Sequence, residues 1–201
     1  MAPSMLTLKA GSVVVFEGLD RPGKSTQLAR MREVIDTAGA TFARMPSAFS
    51  DFTARLYRVL EDAPPTSPLA RQLSHLACHS EAMPSLVETT SGGALVLDRW
   101  WWSTLAYGWY GRGETDLGID ERTFRTVIDS IWAPIRADAV FLFLNAYATD
   151  SNNVDGVAEG YHKIADQSRM PVVRVPVMPE DETHEFLVAE LERLGIARKL
   201  T

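Results

Sequence analysis

Apolar positions fall into five short, nearly continuous runs. These are "SVVVF" at 12–16, "TFARM" at 41–45, "ALVLD" at 94–98, "AVFLFL" at 139–144 and "VVRVPV" at 172–177. They are rich in the branched and aromatic residues that strands favour. Runs without polar alternation predict strands covered on both faces, as in a parallel sheet. Between the runs the period changes. Leu28, Met31, Ile35 and Ala38 recur at helical spacing as far as Gly39, which predicts a helix ending there. Residues 51–62, 68–90, 121–132, 154–167 and 181–194 carry the same signature, weakest in 154–167.

Alternation of strands and helices predicts an α/β fold, a parallel sheet with helices on both faces. The proline-rich stretch "EDAPPTSPLA" at 61–70 does not interrupt it, so residues 1–201 are expected to form a single domain. No repeat of 20–50 residues occurs, which argues against a solenoid. The segment "NAYATDSNNVDG" at 145–156 is polar and irregular and reads as a mobile surface stretch.

The junction of the first strand and first helix carries the chemistry. "FEGLDRPGKST" at 16–26 contains Gly18-Leu19-Asp20-Arg21-Pro22-Gly23-Lys24-Ser25, the Gly-x-x-x-x-Gly-Lys-Ser phosphate loop. Gly18 and Gly23 permit a tight turn that aims backbone N–H groups and a helix N-terminus at phosphate oxygens. Lys24 is expected to reach the β- and γ-phosphates, and the Ser25 hydroxyl to bind Mg²⁺. Thr26 completes the ATP-binding loop. A second constellation is "ALVLDRWWWSTLAYG" at 94–108. Asp98 closes a buried strand, where a carboxylate faces the crevice at the sheet's C-terminal edge and suits a hard cation. The planar fork of Arg99 suits a pair of phosphate oxygens. The three tryptophans at 100–102 point in different directions on a helix, so two are expected in the core or an interface. One is left to line a base pocket.

Bulk properties narrow the classes. A net charge of −6 counts against a sequence-independent nucleic-acid binder. No apolar run reaches the ~20 residues that span a bilayer, and "MAPSMLTLKA" lacks a secretory apolar core. A lone cysteine, Cys78, has no internal disulfide partner. A soluble protein of the reducing cytoplasm is expected.

Together the loop "FEGLDRPGKST", the "DRWWWSTLAYG" segment and Arg44-Met45-Pro46 resemble the thymidylate kinase family. "VAEGYHKIA" at 157–165 is similar to its tyrosine-containing late helix. The resemblance implies the three-layer P-loop kinase fold with a five-stranded sheet. It implies transfer of the γ-phosphoryl group of ATP to a deoxynucleoside monophosphate with Mg²⁺, by a homodimer. It also implies roles: Lys24 and the loop hold ATP, and Ser25 and Asp98 hold the metal. Asp20 sits near the acceptor phosphate, and Arg44 and Arg99 grip that phosphate. Ser103, Tyr107 and Tyr161 lie by the acceptor nucleoside. Met45-Pro46 is expected to be cis.

The resemblance also gives Arg21 a role. Phosphoryl transfer spreads charge over equatorial oxygens, which an adjacent arginine stabilises. Some members carry that arginine in the phosphate loop and others in a lid, and residues 145–160 contain no arginine. Arg21 is therefore expected to be the catalytic arginine. Three positions depart from the family pattern. His75 and His79 align with an aromatic residue and an arginine that hold thymine, Gly108 replaces a glutamine, and the lid arginine that packs on adenine is missing. These leave open an altered acceptor, a modified pyrimidine nucleotide or a hydroxymethylated base in DNA, and also a non-catalytic nucleotide-binding module.

Overall fold

The computed structural model describes residues 5–46, 49–112 and 117–200. The elements, in chain order, are β1 (Leu6–Leu8), β2 (Val13–Gly18), α1 (Lys24–Val34), β3 (Ala40–Arg44), α2 (Asp51–Asp62) and α3 (Pro68–Gly92). Then come β4 (Ala94–Asp98), α4 (Trp101–Gly108), a 3₁₀ turn (Tyr110–Arg112), α5 (Glu121–Trp132) and β5 (Ala139–Phe143). The chain closes with α6 (Val157–Gln167), β6 (Val172–Arg174), α7 (Glu180–Arg193) and β7 (Ala197–Lys199).

The five expected strands form one sheet in the order β3-β4-β2-β5-β6, with every neighbouring pair parallel. Successive strand side chains point to opposite faces, and both faces are covered. Val13, Val15, Leu95, Leu97, Val140 and Leu142 meet α3, α4, α5 and α6 through residues such as Leu86, Leu105, Phe124 and Ile164. Val14, Phe16, Val96, Phe141 and Phe143 meet α1 and α7 through Leu28, Met31, Leu187 and Leu191. The covered parallel sheet is the one expected from the apolar runs, and the whole is the P-loop kinase fold that the resemblance implied. It sets the C-terminal ends of β2, β3 and β4 side by side, with Arg44 and Phe16 both in register with Asp98.

Helix starts follow local chemistry. Ser50, Ser67 and Asp120 cap α2, α3 and α5, their side-chain oxygens accepting from the backbone N–H three residues on. Three differences from the sequence expectation have plain causes. The first helix stops at Val34, because Ile35 turns extended and bridges to Leu6. β6 ends at Arg174, two residues before Pro176, which has no N–H for a ladder. A two-stranded antiparallel ribbon, β1 with β7, was not expected. Its three-residue strands are too short to show a period. Among the described residues no helix is long and apolar enough to cross a membrane.

Candidate active site

β2 runs directly into the phosphate loop. Gly18 has φ 131°, and a Cβ there would sit 1.9 Å from the carbonyl oxygen of Phe143. Only glycine lets the chain leave β2 this close to β5, where Leu19 N–H donates to that oxygen at 2.9 Å. Gly23, with φ 88°, caps α1, so the helix opens on Lys24. Lys24 is buried, and its ammonium donates to the carbonyls of Gly18, at 3.3 Å, and Leu19. Burial lowers its pKa first and Arg99 adds to that; Glu17, Asp98 and Asp20 act in the opposite direction.

Arg99 leaves the end of β4 with φ 69°, a left-handed conformation that a side-chain-bearing residue keeps only when its surroundings fix it. Its amide donates to Phe16 O at 2.9 Å. One guanidinium nitrogen donates to Gly18 O at 3.1 Å and to Ser103 Oγ at 2.8 Å. The other pairs with the Asp20 carboxylate. The ring of Tyr107 lies 5.5 Å from the guanidinium. The phosphate loop and the "DRWWWSTLAYG" segment are thus joined through one arginine.

Beneath this arrangement lies a residue the sequence reading passed over. Glu17 is fully buried in β2. Its Oε1 accepts from the backbone N–H of Trp100 at 2.7 Å and of Ser103 at 3.0 Å. Its Oε2 accepts from Gly18 N–H at 3.2 Å, Ser103 Oγ at 2.7 Å and the Tyr161 hydroxyl at 2.9 Å. Burial raises its pKa, while Arg99 and the hydroxyl and amide donors pull it back. A signal was available: an acid inside an apolar strand is almost never fully buried unless paired.

Seven of the expected residues therefore converge: Gly18, Asp20, Lys24, Arg99, Ser103, Tyr107 and Tyr161. Ser103 Oγ lies 2.9 Å from the Tyr161 hydroxyl, and the Tyr107 and Tyr161 rings meet edge-on at 6.1 Å. Ser25, Arg44 and Asp98 line a neighbouring cavity of about 320 Å³ with Arg32 and Phe42. Ser25 and Thr26 are exposed on the first turn of α1. A serine hydroxyl and one carboxylate suit Mg²⁺, which keeps water and phosphate oxygens among its ligands. The Met45-Pro46 peptide is cis.

Other residues sit elsewhere. Arg21, φ 59°, is exposed, and its Nε donates to Asp150 Oδ2 at 2.9 Å. His75 faces Tyr57 at 6.3 Å between ring centres. His79 is buried against Trp132 at 5.4 Å, with Nε2 3.3 Å from Thr104 Oγ1. Burial pushes their pKa values down to about 4, with help from Arg71, and about 3, with help from His75. The space beside Gly108 is filled by Gln72 of α3, whose Oε1 lies 2.3 Å from where a Cβ of residue 108 would be. The three tryptophans line a separate cavity of about 360 Å³ with Trp132, Ile135 and Ile164, sharing no residue with the phosphate loop.

The sequence profile described as thymidylate kinase matches residues 16–169. The chain belongs to the thymidylate kinase family. A thymidylate kinase of Chlorobium chlorochromatii is 24% identical over 90% of this chain and 94% of its own length. That of Pelodictyon phaeoclathratiforme is 29% identical over 64% of this chain, a match spanning 59% of the relative. The human thymidylate kinase is 30% identical over 51% of this chain and 50% of its own length. Among solved structures, thymidylate kinase from Ehrlichia chaffeensis superimposes with a TM-score of 0.71 at 21% identity, covering 92% of this chain and 100% of that one. The family's reaction is ATP-dependent phosphorylation of a nucleoside monophosphate, and the chain carries the family's fold and phosphate loop.

Proposed function

We propose that this thymidylate kinase family member transfers the γ-phosphoryl group of ATP to a pyrimidine deoxynucleoside monophosphate, in a single catalytic unit. One observation carries the reading. The carbonyl of Gly18 accepts from both Lys24 and Arg99, which brings the donor-side and acceptor-side cations to one point. Family membership favours a free nucleotide over a base within DNA, and the net charge of −6 agrees.

In this reading Lys24 and the loop amides hold the β- and γ-phosphates. Arg99 and Arg44 hold the acceptor phosphate, and Asp20 orients Arg99. Arg21 meets charge on the transferring group. Ser103, Tyr107 and Tyr161 form the wall beside the acceptor sugar and base, with His75, His79 and Gln72 supporting α3 behind it. Ser25 and Asp98 would hold Mg²⁺, which neutralises phosphate charge when bound. Catalysis of this kind is mostly positioning and electrostatics. We infer that the protein acts in the cytoplasm as a homodimer. Exposed Phe52 and Val59 on α2 and Leu73 and Val87 on α3 support an interface there, and sedimentation tests it.

The experiment is coupled ADP release with ATP and a panel of nucleoside monophosphates, nucleosides and DNA, repeated with Lys24→Ala. Turnover of at least one pyrimidine monophosphate is expected, lost by more than about 100-fold in Lys24→Ala. Turnover of DNA or free nucleosides alone would overturn the assignment.

A further inference from the structure

The segment after β5 carries no arginine, yet it lies closely on the phosphate loop. Asn153 Oδ1 accepts from Asp20 N–H at 2.9 Å, and its Nδ2 donates to Asp20 O at 2.9 Å. The side chain therefore grips both ends of one loop residue, as a strand partner would. The same Oδ1 accepts from the Tyr107 hydroxyl at 3.0 Å. The Tyr147 amide donates to Arg21 O at 3.0 Å. Asp150 Oδ2 accepts from Arg21 Nε, while its Oδ1 accepts from Asn152 N–H at 2.9 Å. The Tyr147 ring lies 3.4 Å from where a Cβ of Gly23 would be. Residues 20, 21 and 23 of the loop are each met by this one segment.

We propose that residues 147–153 are a strap that fixes the shape of the phosphate loop, and that Asn153 is the positioning residue through which it acts. The chemistry follows from what a carboxamide offers, an acceptor oxygen and a donor nitrogen on one rigid plane. Here it satisfies the N–H and C=O of Asp20, which the loop itself leaves unpaired. Holding that backbone aims the Asp20 carboxylate at Arg99. The third bond ties the same amide to Tyr107, whose ring flanks Arg99. Asp150, on the same strap, sets the direction of Arg21. A segment that supplies no cation of its own thus governs where two loop-associated arginines, Arg21 and Arg99, stand. The kinetic part of this proposal rests on the kinase reading above. The structural part does not.

The test uses Asn153→Ala and Asn153→Asp, with Thr149→Ala as a control on the same segment. Amide hydrogen exchange of Leu19, Asp20, Arg21 and Gly23 is read beside thermal melting and steady-state kinetics. In Asn153→Ala, loop exchange should rise by about tenfold, the equivalent of one lost hydrogen bond. The melting temperature should fall by only about 2–4 °C, the size of roughly 1 kcal/mol in a protein of this length. The kcat should fall by about tenfold, on the scale of one lost hydrogen bond in the loop. Asn153→Asp keeps both acceptor contacts but turns a carboxylate oxygen onto the Asp20 carbonyl, acceptor against acceptor, so its loop exchange should rise at least as far as in Asn153→Ala. Thr149→Ala should change none of these. Loop exchange within about twofold of wild type in Asn153→Ala would overturn the proposal, whatever the activity. If the wild type turns over no acceptor, the kinase reading fails, while exchange still decides the strap.

Discussion

Replacing Glu17 by glutamine tests the least expected residue of the site. The amide keeps the shape of the carboxylate. Its oxygen, placed where Oε1 stands, still accepts from Trp100 N–H and Ser103 N–H. Its nitrogen then stands where Oε2 meets three donors. The hydroxyls of Ser103 and Tyr161 turn and become acceptors, but the Gly18 N–H, 3.2 Å away, faces a second donor. A buried N–H left without an acceptor costs about 1–3 kcal/mol. The negative charge beside Arg99 is also lost, although Asp20 remains as a counterion. We expect a loss of about 2–4 kcal/mol, which for a protein of this size lowers the melting temperature by roughly 5–12 °C. Glu17→Ala removes every acceptor at once, and its cost approaches the ~5–15 kcal/mol total stability of a typical domain, so it should not accumulate as folded protein. Because Glu17 anchors Ser103 and the start of α4, Glu17→Gln should also raise the acceptor KM more than the ATP KM. The assays are scanning calorimetry and initial rates with each substrate varied. A melting temperature within about 2 °C of wild type, less than 1 kcal/mol at this size, with an unchanged acceptor KM, would refute the argument.

Arg21→Ala should lower kcat by about 10³ on the scale of arginine fingers, with unaltered melting, since an exposed ion pair contributes little to stability. Arg21→Lys should recover little of the rate, because a point charge cannot span two oxygens as the guanidinium fork can, and full activity in the lysine variant would refute that. Gly18→Ala forces a Cβ onto the Phe143 carbonyl and should destabilise by about 3 kcal/mol or more; a melting curve matching wild type would show that β2 and β5 can part there. His79, held near pKa 3 by burial, takes up its proton in the unfolded chain first. Its stabilising effect is therefore full above about pH 6.5 and is lost as pH falls toward 3, at up to about 1.4 kcal/mol per pH unit. His79→Gln should flatten urea-derived stability between pH 7 and 5 by that slope, and an unchanged slope would place the titration elsewhere.

The sheet was legible because Val13–Phe16, Leu95–Leu97 and Val140–Phe143 are apolar on both faces, a pattern with few alternatives to a covered parallel strand. The phosphate loop was legible because Gly18, Gly23 and Lys24 each do something no other residue type does at that spacing. The β1–β7 ribbon was not, since Leu6–Leu8 and Ala197–Lys199 are paired by distant partners rather than by their own period. Residues 145–156 show the same limit from the other side. Their polarity reads as mobility, yet Asp150 and Asn153 are polar because loop backbone and Arg21 need polar partners. Glu17 was hidden by its neighbours, as its motif directed the eye to the glycines that follow.

The shared carbonyl of Gly18 has a thermodynamic consequence. Lys24 and Arg99 donate to the same oxygen, so a shift of either cation changes the field felt by the other. In the proposed reading, with ATP on Lys24 and the acceptor phosphate on Arg99, the two substrates are then not expected to bind independently. ATP drawing Lys24 off that oxygen strengthens its remaining bond to Arg99, and the acceptor phosphate drawing on Arg99 returns the effect to Lys24. Linkage requires the two effects to be equal: whatever factor ATP applies to the acceptor's dissociation constant, the acceptor applies to that of ATP. On that reading a single peptide oxygen would couple the two sites, with a sign and size that one titration, done in both orders, must report identically.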